Sequence, residues 1–178
     1  MKEKLIKIFP EINEIKNEEL REKTINVWLE ALKLGGWTFE DLAVIPFTLL
    51  IPNMTITLID HTRAVTRISI EAGKTFKMFY GDKLPVDMDI LVSGAILHDV
   101  GKLMEYERDE NGELIKGHFG KMLRHPFSGS SLAYKMGLPS EVCHIIAVHA
   151  REGEKNRATP EAVIVNHADF INFHSLKL

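Results

Sequence analysis

Six side chains in this 178-residue sequence are of types that coordinate transition metals at helical spacings: His61, His98, Asp99, His125, His149 and Asp169. The adjacent pair His98–Asp99 is the most informative feature. It closes the apolar run Ala95-Ile96-Leu97 and precedes Val100-Gly101-Lys102. A carboxylate at the end of such a run is costly to bury unless paired, and a cation is its natural partner. Imidazole and carboxylate together suit divalent Fe, Mn, Ni or Co better than Ca, with Mg and Zn as alternatives. Six donors exceed what one ion needs once water takes positions. Two ions sharing the Asp99 carboxylate would use them all. A bound cation acidifies water and polarises a phosphoryl oxygen, and a pair of cations clamps the attacking and leaving oxygens. Singly, each residue has a plainer explanation. His61 or His149 fits a core histidine, Asp169 a surface or salt-bridge residue, and His125 a cap for the helix opening at Pro126. The combination points to a metal centre.

The elements that must position these donors are nearly all helical. Asn17 caps a helix to Leu34, with Leu20, Thr24, Val27, Trp28, Ala31 and Leu32 on one stripe and Gly35-Gly36 as the stop. Thr38 with Asp41 opens a short helix, and the apolar stretch from Leu42 to Ile51 reads as core, with a pocket lid as the alternative. A long helix from about Thr55 to Phe79 carries His61 on the face of Leu58, Val65, Ile68, Ala72 and Phe76. Met78, Phe79 and Tyr80 read as core with Phe76, rather than as a platform for a nucleobase. Asp87 caps a helix to Asp99, and Gly101 reads as its C-terminal stop. Residues 105–116 form a hairpin around Asn111-Gly112. Pro126 opens a helix that Gly137 ends, Ser140 caps the next to about Ala150, and Thr159-Pro160-Glu161 starts the last, with Asn166 and Asp169 in line.

Composition narrows the function. The chain is 45% hydrophobic, enough for one real core, and its single cysteine, Cys143, excludes an internal disulfide. That usage fits a cytoplasmic setting, and no apolar run approaches the roughly 20 residues a membrane span requires. A net charge of −3 without a basic block argues against duplex nucleic acid as a partner. Arg124 and Arg151 flank two donors and offer forks suited to phosphate. Ser128 and Ser130 lie in a first helical turn, whose free N–H groups can hold an oxyanion.

The pieces Leu58-Ile59-Asp60-His61-Thr62, Leu97-His98-Asp99-Val100-Gly101-Lys102 and Asn166-His167-Ala168-Asp169-Phe170 resemble the HD-domain metal-dependent phosphohydrolases. The resemblance implies an all-α helical bundle, over residues 51–178, with the short hairpin inserted after the His-Asp pair. Residues 1–50, which match nothing in that family, are expected to form a helical extension packed on it. It implies that His61, His98, Asp99 and Asp169 bind a first metal, and that His125 and His149 serve a second, as in dinuclear members. Gly117-His118 after the hairpin puts His118 in competition with His125. Lys102 is implied to lie near the phosphate or to pair with a ligand carboxylate, the plainer role being a helix C-terminal cation. Catalysis would rest on Asp99 and Lys102, and substrate binding on Lys102, Arg124, Ser128 and Arg151. His144, His167 and His174 have no counterpart and read as structural. No Gly-Tyr-Pro follows and Ala150 stands after His149, which argues against the cyclic-di-guanylate branch. The expected activity is hydrolysis of a small phosphorylated metabolite, a nucleotide or its like, by metal-activated water. An exoribonuclease-like domain and a non-catalytic regulatory domain are the alternatives.

Overall fold

The computed structural model describes residues 1–178. It is an all-α bundle: α1 (Lys2–Ile8), α2 (Glu18–Gly35), α3 (Leu58–Tyr80), α4 (Met88–Leu97), α5 (Lys102–Glu105), α6 (His118–Met122), α7 (His125–Lys135), α8 (Ser140–Val148) and α9 (Pro160–Ser175). The one sheet is a hairpin, β1 (Tyr106–Arg108) with β2 (Leu114–Lys116), antiparallel with Glu107 opposite Ile115. No helix is long and apolar enough to cross a membrane.

Local chemistry sets the helix starts. Asn17 accepts the Leu20 amide, and Asp87 accepts those of Asp89 and Ile90. Thr57 and Asp60 form a reciprocal capping box that starts α3. Ser140 is not a cap: Pro139 holds that position, and the Ser140 hydroxyl bonds Glu141 instead.

α4 is buried along its whole second half and is the axis of the bundle. The N-terminal segment covers one side of it. Every residue of the stripe expected on α2 is buried, and the main core runs from Leu5 and Trp28 to Ile96, Leu103 and Ile146. Two indoles fasten this side. Trp28 donates to the Ile96 carbonyl at 3.1 Å, and Trp37 to the Leu103 carbonyl at 2.7 Å. Both carbonyls flank the His98–Asp99 turn. Below it, the Asp89 carboxylate accepts the Lys16 and Asn17 amides. A second cluster, around Val65, Leu91, Ala95, Ile145 and Val165, joins α3, α4, α8 and α9.

Three further expectations change here. Met78 and Phe79 are 73% and 71% exposed, and Tyr80 is exposed too, because the last turn of α3 runs past Phe76, its final residue on the second core. The stretch from Leu42 to Ile51 divides: Leu42, Ile45 and Phe47 are buried, but Leu49 and Leu50 are exposed. Its ends are tied by Phe47 N–H to Ile56 at 3.1 Å and Leu58 N–H to Ile45 at 2.8 Å, making residues 47–56 a closed loop. Asn111-Gly112 is not a two-residue hairpin turn. The loop spans 109–113, held by Asp109 accepting the Asn111 and Glu113 amides, with only Gly112 at positive φ.

Gly101 is required for a different reason than a left-handed stop. Its φ is −63°, within the right-handed region. A Cβ there would lie 2.2 Å from the His125 carbonyl oxygen and 2.8 Å from the Gly129 amide nitrogen. The close approach seats the His98–Asp99 turn against α7. Gly101→Ala must push backbone apart, and we expect a loss of at least about 2 kcal/mol. Urea denaturation of the chelator-treated protein measures it.

Candidate metal centre

Asp99, in the turn between α4 and α5, is the hub. Its Oδ2 lies 3.4 Å from Nε2 of both His61 and His98, and its Oδ1 lies 3.3 Å from His125 Nε2 and 3.5 Å from His149 Nε2. Donor atoms of His61, His98 and Asp99 lie within 4.8 Å of one another, as do those of Asp99, His125 and His149. Asp169 Oδ1 approaches His61 Nε2 at 3.1 Å. All six residues named from the sequence thus converge, with only Asp169 appreciably solvent-accessible. His118 is exposed at the start of α6 and stands apart from them.

The fold aims the rings by a repeated device. His98 and His149 are the C-cap residues of α4 and α8. Each bonds, through Nδ1, the carbonyl three residues back: Ala95 for His98 and Ile146 for His149, both at 2.7 Å. A carbonyl only accepts, so Nδ1 carries the proton and Nε2 is left bare toward Asp99. His125 reaches the same state through Glu105, whose carboxylate accepts its Nδ1–H at 2.9 Å and its backbone N–H at 2.7 Å. His61 Nδ1 has no partner, and the ring is held by stacking on Phe47, 4.4 Å between centroids at 22°. Asn166 donates to the His149 carbonyl at 2.5 Å, fastening the end of α8 to α9 one turn before Asp169.

The arrangement is poorly satisfied without a cation. Three bare imidazole nitrogens face carboxylate oxygens, so acceptor meets acceptor. Neutral nitrogens and carboxylates gathered this way suit a divalent transition metal. Lys102 neutralises one charge. It donates to Asp99 Oδ2 at 2.6 Å and also bonds the Phe47 carbonyl. Of the roles implied for it, pairing with a ligand carboxylate is the one this contact makes.

The electrostatics follow from burial and pairing. Burial would raise the Asp99 carboxyl, but the Lys102 ammonium beside it prevails and holds it well below the usual range. Burial would lower His61, yet its hydrogen bonds to Asp169 and Asp99 prevail and raise it. For His125 burial wins over the Glu105 hydrogen bond, and the ring falls to about 4. Glu105 resists its own burial through the His125 bonds and Lys116 and falls to about 2. The pair is therefore neutral imidazole with ionised carboxylate.

These groups form the floor of a cavity of about 950 Å³. Asp99, Lys102, His125, His149 and Asp169 reach it, as do Arg124 and Arg151. Arg124 is held by Glu152 at 2.7 Å. Ser128 does not line the cavity: its hydroxyl turns back to the His125 carbonyl at 3.4 Å. Ser130 bonds the Cys143 carbonyl on α8. Of the histidines read as structural, His144 accepts the Ala158 amide at 3.0 Å, and His167 is exposed. His174 differs, because it lines the cavity beside Phe173. Glu105, Tyr106, Phe170 and Phe173 carry no role in the sequence reading, whereas Leu49 and Leu50 fall in the stretch whose alternative reading is a pocket lid. Only the helical i, i+3 spacing of Lys102 and Glu105 gave any signal.

Comparison with known proteins agrees with this geometry. A family model described as the HD domain matches residues 58–171. A dihydroneopterin 2',3'-cyclic phosphate phosphodiesterase of Methanocaldococcus jannaschii is 32% identical over 177 residues, covering 94% of this chain and 67% of that protein. Ribonuclease Y of Acidothermus cellulolyticus is 32% identical over 90 residues, and that of Thermosipho melanesiensis 29% over 90, each covering 51% of this chain and 15% of the relative. No solved structure matches significantly. The chain belongs to the HD-domain family, the metal-dependent phosphohydrolases.

Two predictions follow from the ring environments. A raised His61 holds its proton to higher pH, so metal and proton compete there already above the ordinary value near 6.5. Metal affinity should weaken as pH falls from 8 to about 6, measured by competition with a chromophoric chelator. Glu105→Gln removes the carboxylate that fixes the His125 tautomer. It should lower metal affinity by about 10–100-fold with little change in helical circular dichroism.

Proposed function

We propose that this protein is a metal-dependent phosphodiesterase that opens a cyclic phosphate ester of a small metabolite. The observation that carries it is the convergence of four imidazoles on the two oxygens of one buried carboxylate, beneath a cavity sized for a small molecule. His61, His98, Asp99 and Asp169 would hold one divalent ion, and Asp99, His125 and His149 a second. Bound there, such ions supply an activated water and charge stabilisation at phosphorus. Fe, Mn, Ni or Co suit the donors.

The chain's own groups have definable tasks. Lys102 keeps Asp99 ionised and fixes the plane of its carboxylate, so that one oxygen faces each histidine pair. Arg151, on the turn after His149, reaches the cavity free of any ion pair and is placed to take a phosphate oxygen. Arg124 is anchored by Glu152 and contributes positive potential rather than a free fork. The substrate class draws support from the relative named for a 2',3'-cyclic phosphate, because the similarity to it covers nearly all of this chain. Similarity to ribonuclease Y is confined to 90 residues and supports the shared chemistry more than an RNA substrate.

The test is a panel of dihydroneopterin 2',3'-cyclic phosphate, 2',3'- and 3',5'-cyclic nucleotides and a labelled single-stranded RNA, each with Mn, Fe, Ni, Co or Mg. Turnover should be fastest on a small 2',3'-cyclic ester and vanish with chelator. Asp99→Ala should reduce it to background, and Lys102→Ala by about 10–100-fold. Faster cleavage of the RNA than of every small ester would replace this reading with an exoribonuclease. No metal-dependent turnover on any ester would favour a regulatory domain.

A further inference from the structure

Opening a phosphodiester expels an alkoxide, which leaves poorly until it gains a proton from a positioned acid. Most titratable groups that reach the cavity have none to give. Asp99, Glu105 and Asp169 all titrate below the usual carboxylate range and are ionised. His125 and His149 keep their ring protons on Nδ1, bonded to Glu105 and to the Ile146 carbonyl. Lys102 is committed to Asp99 and Phe47, and Lys116 to Glu105 at 3.4 Å. An arginine is too basic to release a proton. What remains is Tyr106, His174 and Lys177. The last two are exposed near the end of the chain, so Tyr106 is the one buried candidate.

Tyr106 opens β1, four positions after Lys102. It is only 6% exposed, yet it lines the cavity together with Asp99 and Lys102. Its hydroxyl faces the Phe47 carbonyl at 3.5 Å, the same oxygen that Lys102 bonds. Lys102 in turn holds Asp99 Oδ2 at 2.6 Å. One carbonyl therefore links the phenol to the ammonium beside the metal donors. The phenol's own contact exceeds the roughly 2.5–3.0 Å of a good O–H···O bond, and it competes there with a charged donor. A buried hydroxyl so poorly bonded adds little to stability, so packing alone does not account for the oxygen. Burial pushes the phenol up to about 12, which keeps it protonated across the neutral range.

We propose that the Tyr106 hydroxyl is the acid that protonates the leaving oxygen as the ester opens. The proposal rests on the phosphodiesterase reading above and supplies the proton donor which that reading lacks. The oxygen of water bonds phosphorus and its proton passes to solvent. The bond from phosphorus to the leaving oxygen breaks with its electron pair on that oxygen, which takes the phenol proton. The phenolate left behind faces the Lys102 ammonium, whose charge favours it, and regains a proton from water in the open cavity. Lys102 thus serves both ends of the reaction: its contact with Asp99 orders the donors, and its charge eases the release of the Tyr106 proton.

The test is dependence on the leaving group. A 2',3'-cyclic nucleotide expels an alkoxide, whereas bis(4-nitrophenyl) phosphate expels a nitrophenolate that needs no proton. Both are given to the metal-loaded protein and to Tyr106→Phe. The variant should lose about 100-fold in kcat on the cyclic ester with little change in KM, and less than about twofold on the nitrophenyl ester. Metal content and helical circular dichroism should match the unaltered protein. Should Tyr106→Phe fail to fold, 3-fluorotyrosine at all three tyrosines keeps the shape and makes a stronger acid; Tyr80 and Tyr134 are exposed outside the cavity. It should then speed the cyclic ester alone. An equal loss on both esters, no loss on the cyclic ester, a fall in metal content, or fluorination that changes both rates alike would each overturn the assignment while leaving the phosphodiesterase reading in place. No metal-dependent turnover of either ester by the unaltered protein would overturn both.

Discussion

A carboxylate buried among four imidazoles is the constraint on which the rest of this structure depends. Asp99 has one compensating charge, Lys102, and faces more lone pairs than protons. Leaving a buried charge without its partner costs about 3–5 kcal/mol, so Lys102 cannot be separated from the site it stabilises. Its second bond, to the Phe47 carbonyl, fastens the cavity loop to the same charge. Folding therefore assembles a cluster that is electrostatically incomplete, and the binding energy of a cation becomes part of the stability of the fold.

The scaffold tolerates this because the donors sit at helix ends rather than within loops. A helix terminus has unsatisfied carbonyls, and an imidazole placed one turn beyond can bond one of them. His98 and His149 use that vacancy in the same way, so satisfying the helix and orienting the ring are one event. The two indole bonds from the N-terminal segment grip α4 and α5 on either side of the turn. The part of the chain that bears Trp28 and Trp37 thus acts on the site from behind, through backbone carbonyls, whereas Phe47 stacks on His61 directly. On the other flank Gly101 allows α7 to approach closely enough for His125 to reach Asp99.

The sequence exposed the donors and concealed their supports for physical reasons. Histidine and aspartate at the ends of apolar helices are costly residues, and cost makes them conspicuous. Asn17, Asp87 and the α2 stripe were equally legible, because capping and periodicity are local. Glu105 was not. An acid at the end of a short helix looks like surface until the chain brings His125 back to it twenty positions later. Apolar residues misled in the other direction. Leu49, Leu50, Met78 and Phe79 have the composition of core, and hydrophobicity alone does not say whether a partner covers them. Gly101 was placed in the right position for the wrong reason, since close approach and left-handed backbone both select glycine.

The same distinction separates chemistry from selection in this protein. The donors are buried, bonded to helix termini and coupled through one carboxylate, so changing any of them disturbs the others. The cavity walls are different. Leu50 stands on a loop closed at its base, and Phe173 lies one turn past Asp169 on the outer half of α9. Neither takes part in the hydrogen bonds that hold the donors. A fold arranged this way can change what its ester carries by altering the walls while leaving the phosphorus chemistry intact. That separation accords with the similarity of this one chain both to a protein named as a cyclic phosphate phosphodiesterase and to ribonuclease Y.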